Sequence, residues 1–131
     1  MPIRAQVGRL ATEQSGATAV EFAFILPVFV MMLFGVMGVS QLAGAVSGMH
    51  YAVEEAARCF AVNKTTCGSA SATSIFAAAK YLGPDVGPVF LVTNAGCGFT
   101  VSATATYRLE LAVTTFDIPL SAAACYPGKV S

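Results

Sequence analysis

The stretch Ser15–Val39, Ser-Gly-Ala-Thr-Ala-Val-Glu-Phe-Ala-Phe-Ile-Leu-Pro-Val-Phe-Val-Met-Met-Leu-Phe-Gly-Val-Met-Gly-Val, sets a single carboxylate, Glu21, at the head of a long apolar run. Phe22 to Val39 is apolar or glycine at every position except the uncharged Pro27, and no Asp, Glu, Lys or Arg occurs between Glu21 and Glu54. At ~1.5 Å of rise per residue, a helix from Ala17 to Val39 spans roughly 34 Å, enough to cross a hydrocarbon core ~30 Å thick. A proline inside such a span is tolerated where neighbouring groups satisfy the carbonyl it frees. A carboxylate bordering hydrocarbon is costly unless something neutralises it, so Glu21 is a functional candidate by default.

The flanks orient this span. Arg4, Arg9 and the initiating amine stand against Glu13 before it, and no basic residue follows it until Arg58. The positive-inside rule therefore puts the N-terminus in the cytoplasm and the remainder of the chain outside. All four cysteines, Cys59, Cys67, Cys97 and Cys125, fall on that outer side, where disulfides form and persist. In a chain of 131 residues, 56% hydrophobic and 11% charged, the anchor leaves room for one small domain. Seven basic residues balance seven acidic ones without any Lys/Arg cluster, which argues against a nucleic-acid or anionic-surface partner.

Beyond Val39 the periodicity extends the helix to about Ala61. Leu42, Val46, Met49, Val53, Ala56 and Phe60 recur at spacings of three and four, with Ser47, Glu54 and Arg58 opposite. The expectation is one long helix, buried all round in its first half and amphipathic in its second, with Glu54 and Arg58 as an i, i+4 pair. Asn63-Lys64-Thr65-Thr66 ends it. A second helix is expected over Ser71–Leu82, with Ser69 or Ser71 as cap, Ile75, Ala79 and Leu82 on its apolar face, and Gly83-Pro84 as the stop.

From Phe99 to Val113 the period changes. Phe99, Val101, Ala103, Ala105, Tyr107, Leu109, Leu111 and Val113 alternate with Thr100, Ser102, Thr104, Thr106, Arg108 and Glu110 in the pattern of a strand covered on one face. Val89–Thr93 is read as the preceding strand and Pro119–Tyr126 as the following one, reached through a turn at Thr115-Phe116-Asp117. The fold class is therefore α+β: a transmembrane helix continuing into an amphipathic helix that covers a small antiparallel meander, with one short extra helix. The expected organisation is a leader over 1–16, the long helix over 17–62, and a disulfide-bonded extracytoplasmic region over 63–131.

Four cysteines permit three connectivities. Cys59 ends the long helix and Cys67 follows in the next loop, while Cys97 and Cys125 flank the meander, which favours Cys59–Cys67 and Cys97–Cys125. No Cys-x-x-Cys spacing occurs and His50 stands alone, so no metal is expected. Asp85, Arg108, Glu110 and Asp117 are scattered, and no triad or phosphate loop is present. Neither catalysis nor a cofactor nor a small-molecule substrate is expected. His50 and Tyr51 suit the outer membrane surface; Asn63-Lys64-Thr65 has the form of a glycosylation acceptor but is read as a bare loop.

Gly16-Ala17-Thr18-Ala19-Val20-Glu21-Phe22, between a basic leader and an apolar run, resembles a prepilin-type processing site. That resemblance implies cleavage after Gly16 by a membrane aspartic peptidase, making Ala17 the new N-terminus and Glu21 the fifth mature residue. A freed amine on one subunit's Ala17 would neutralise Glu21 of a neighbour and fix their register. With Ala19-Val20-Glu21-Phe22-Ala23, Leu26-Pro27, Phe34-Gly35 and Glu55-Ala56-Ala57-Arg58, residues Gly16–Arg58 resemble the N-terminal region of the TadE-like family, minor pilin-like proteins of Tad (Flp) pilus systems. In that family an acidic residue often follows the membrane glycine within a turn; Gly38 takes its place here.

The resemblance implies a subunit for assembly of an adhesive pilus, held in the bacterial inner membrane with a periplasmic C-terminal region. Its partners would be a prepilin peptidase, other Tad pilus subunits and their assembly platform. A TadF-like role is open on the same residues. Three other readings compete: an uncleaved single-pass scaffold that binds an envelope partner, export after cleavage at Ala43-Gly44-Ala45 to leave Val46 first, and an exported enzyme.

Overall fold

The computed structural model describes residues 15–111 and 114–128. Residues 1–14 of the expected leader 1–16, with Arg4, Arg9 and Glu13, and the end of the alternation at Val113 lie outside the described residues, and α1 takes in Ser15 and Gly16. Helix α1 runs Ser15–Val62, α2 Ala70–Lys80, and strands β1 Val89–Ala95, β2 Gly98–Leu111 and β3 Thr114–Tyr126 follow. The fold is α+β, and the chain divides into two compact units, Met1–Met37 and Gly38–Ser131.

In the first unit α1 continues through Pro27, and every described residue from Gly16 to Met37 is exposed. An 18-residue window of this part of the helix has a mean hydropathy of 2.5 with none of it buried inside the protein. The all-round burial expected for this half is therefore not supplied by the chain itself.

The second unit has its own core. Ala45, Met49, Val53, Ala56 and Ala57 of α1 pack with Ala77 of α2 and with Val101, Ala103, Tyr107, Leu120 and Ala122 of the sheet. These α1 positions recur at helical spacing, so one face is buried while Ser47, Glu54 and Arg58 remain exposed. The strands form an antiparallel meander in the order β1-β2-β3. Because side chains alternate along a strand, the register sets one continuous apolar face, with Val101 opposite Val92 and Ala124, and Tyr107 opposite Ile118.

Several local expectations are corrected. Strand β3 begins at Thr114, so Thr115-Phe116-Asp117 is paired strand, held to β2 through Glu110, Leu109 and Arg108. Cross-strand charge favours that pairing: Arg108 Nε donates to Asp117 Oδ1 at 2.9 Å. Helix α2 buries Thr73 and Ala77, whereas Ile75 and Leu82 are exposed and Ala79 faces outward with them. The small alanine lets α2 approach the core closely, and the buried Thr73 hydroxyl is satisfied by the Ser69 carbonyl at 2.8 Å. Ser69 caps the helix by accepting from the Ala72 amide, and the helix stops at Lys80, before Gly83-Pro84.

Glu54 and Arg58 do not form the expected pair; among the described residues the salt bridge is Arg108–Asp117. Two long, solvated side chains gain little by holding one geometry.

Candidate functional site

Glu21 lies on α1 between Val20 and Phe22, all three exposed. Glu21 follows Ala17 at i+4 in the helix, so both fall on one face about a turn apart. Gly16 is in the first turn of α1, and a β-carbon added there would meet no neighbouring atom within 4 Å. Phe24, 77% exposed, and Phe29, Met31 and Phe34 surround the helix with apolar surface on all sides. The first unit thus presents a small-residue N-terminus, one carboxylate and an uninterrupted apolar cylinder. None of these groups is brought together with another titratable side chain among the described residues.

In the second unit two disulfides stand at opposite elements. Cys59–Cys67, with Cα atoms 5.7 Å apart, joins the last turn of α1 to the loop before α2. Cys97–Cys125, with Cα atoms 6.4 Å apart, joins the β1–β2 turn to the end of β3. Cys67 is buried, while Cys97 and Cys125 are exposed. Asn63 terminates α1 by accepting the Thr65 and Thr66 amides at its Oδ1. Lys64 then folds back, donating to the Phe60 carbonyl at 2.7 Å and placing its ammonium 4.5 Å from the Phe60 ring and 4.6 Å from the Phe99 ring.

Of the glycines of α1, Gly48 has a use inside this chain. A β-carbon at Gly48 would overlap the Leu82 carbonyl, so its absence admits the segment after α2, whereas one at Gly44 would meet the Pro84 ring at 3.8 Å, an ordinary contact. Nothing in helical periodicity separates a glycine used within the fold from one used between subunits. Tyr81 closes that segment by donating its hydroxyl to the Pro84 carbonyl at 2.7 Å, and burial followed by the Asp85 charge raises its pKa above the ordinary 10.0.

His50 and Tyr51 are exposed on α1 beside Val39, Leu42, Val46, Ser47 and Glu54, along a shallow strip in which the Ser47 hydroxyl donates to the Ala43 carbonyl at 2.8 Å. Among the described residues, no group of three His, Cys, Asp or Glu side chains is placed to hold a metal. Exposed Arg108 and Asp117 have each other, which pushes the guanidinium pKa further up through their hydrogen bond.

Comparison with known proteins returns one family model. It is described as TadE-like protein and it matches residues 16–58, about a third of the 131-residue chain. No curated protein and no solved structure matches the chain significantly. The matched stretch begins at the glycine before Ala17, takes in Glu21 and the whole apolar cylinder, and ends at Arg58, beside the first cysteine. Through residues 16–58, this chain is similar to the TadE-like family.

Proposed function

We propose that this protein is a minor pilin-like subunit for assembly of an adhesive Tad-type pilus, anchored in the bacterial inner membrane by the apolar part of α1. The similarity of residues 16–58 to the TadE-like family supports the assembly role. The observation that carries the reading is the coincidence, within the matched residues, of an apolar cylinder left wholly exposed by the chain and one carboxylate at its head. Lipid or neighbouring subunit helices are the media that cover such a surface.

In this reading residues 1–16 form a cytoplasmic leader, 17–62 the anchor and its extension, and 63–131 the periplasmic region. A prepilin peptidase cuts between Gly16 and Ala17. The new amine then stands at the positive end of α1, where the helix dipole opposes its charge, and Glu21 sits within the first turns, where the dipole favours a carboxylate. The amine of one subunit pairs with Glu21 of the next, turning two costly charges into one hydrogen-bonded pair; Phe22 begins the apolar packing beside it. Other Tad subunits and the assembly platform are the partners.

Glu21→Ala tests the register role. Piliation is expected to be lost while cleavage and membrane insertion persist, because an uncompensated buried amine costs several kcal/mol, about 3–5. Normal pili in cells carrying this variant would sink the role assigned to Glu21. A bulky replacement at Gly16 is expected to leave the leader attached, read as an unprocessed mass.

A further inference from the structure

We propose that the end of the β2–β3 ladder beside Gly38 is a second, peripheral membrane contact, in which Leu109 and Phe116 enter the headgroup–acyl boundary of the bilayer; this rests on the anchor reading above. Strand β2 runs back along the part of α1 that covers it. Its start lies at the far end, where the Phe99 and Phe60 rings meet edge to face at 4.8 Å. Its later residues reach Gly38: the Tyr107 hydroxyl is 3.4 Å from the Gly38 carbonyl and 3.4 Å from Gln41 Oε1. Leu109 Cδ1 lies 3.1 Å from where a Gly38 β-carbon would stand. Gly38 in turn belongs to the apolar run Phe22–Val39, so this end of the sheet is held at the border of the proposed span.

Register places Phe116 opposite Leu109, on the same face as Tyr107, Ile118 and Leu120. Elsewhere that face is core: Ala122 is 5% and Leu120 8% exposed, but Phe116 is 52% exposed. Exposure on the helix-facing side of β3 thus rises toward Gly38, and an aromatic is left uncovered where the span begins. The neighbouring charges, Arg108, Glu110 and Asp117, occupy the alternate positions and so point to the opposite face, with Arg108 and Asp117 paired. An apolar aromatic beside a Tyr, with charges turned away, is the composition suited to a membrane–water boundary. Leu109 and Phe116 are too small a patch to hold a second protein copy by themselves, whereas continuity with a span needs no large area.

The chain contains no tryptophan, so a single introduced one reports its own surroundings. Full-length Phe116→Trp, with Phe34→Trp as the span control and Leu91→Trp as the outer-face control, is reconstituted in phosphatidylcholine vesicles. Part of the lipid is brominated near the headgroup end of its acyl chains. The expected result is blue-shifted emission and bromolipid quenching for Phe116→Trp and Phe34→Trp, with Leu91→Trp unchanged and open to aqueous acrylamide. Quenching of Phe34→Trp while Phe116→Trp behaves like Leu91→Trp would overturn the contact and leave the anchor standing. Failure of bromolipid to quench Phe34→Trp would instead overturn the anchor reading itself. Protection of Phe116→Trp from both quenchers, growing with the protein-to-lipid ratio, would assign the patch to a second copy and reject lipid.

Discussion

The two halves of α1 use one backbone conformation for two different environments. Up to Met37 the helix has no buried side, and from Gly38 onward it has one, built of Ala45, Met49, Val53 and Ala56 against the sheet. The difference lies in where polar residues begin. Ser40, Gln41, Ser47 and Glu54 break the apolar surface of the second half into a stripe, while Phe22–Val39 offers no polar face at all. Stability of the folded region therefore depends on the second half and its covalent ties, and the first half contributes through whatever surrounds it.

Removing covalent ties tests the second region most severely. Cys97 and Cys125 are 28 residues apart and Cys59 and Cys67 are 8 apart. Loop-closure entropy then assigns about 3.5 kcal/mol to the longer link and about 2.5 kcal/mol to the shorter. Urea unfolding of the two paired Cys→Ser variants in detergent should rank them in that order. Equal losses would mean that residual structure in the unfolded chain dominates.

A matched pair of core and span substitutions breaks the comparison directly. Met49 is 1% exposed, and Met49→Ala should cost about 3 kcal/mol of folding stability. Phe24→Ala, at a fully apolar but uncovered position, should change unfolding of the Gly38–Ser131 unit by less than about 0.5 kcal/mol. Similar losses for both would show that the halves fold as one cooperative unit.

Gly48→Ala comes next, at about 2 kcal/mol, because the added methyl must push back the Leu82 backbone. Gly35→Ala, where a β-carbon meets nothing within 4 Å, should leave that unfolding transition unmoved.

The smallest effect concerns pH. Tyr81 holds its proton more tightly in the folded chain than its ordinary value of 10.0, owing to burial and then to Asp85. Its contribution is complete below about pH 10 and is lost as pH rises through the folded-state value, since the unfolded chain releases the proton first. Tyr81→Phe should flatten the alkaline fall in unfolding midpoint.

Elements with a long, clean period were legible in the sequence. The long apolar helix, the amphipathic stripe and the β2 alternation each repeat one signal over many residues, and the structure follows them. Short elements were not. In α2, Ile75 and Ala79 share a helical face as well as Thr73 and Ala77 do, and the smaller face is the buried one, with Leu82 beyond the helix brought against Gly48. Thr115-Phe116-Asp117 falls outside the strand read from the sequence at Pro119–Tyr126, yet Arg108 across the ladder gives the Asp117 carboxylate a strand partner. The stripe Met49, Val53 and Ala56 was legible, because its spacing is local to one stretch of chain. The approach of Tyr107 to Gly38 was not, since it joins positions 69 residues apart.

The most direct measurement is intact mass and N-terminal sequencing of the protein extracted from membranes of cells that express the peptidase. A chain beginning at Ala17, with residues 1–16 absent, is the expected result. A chain that retains Met1 would contradict pilin-like processing in favour of an uncleaved anchor, and one beginning at Val46 would contradict the anchor as well.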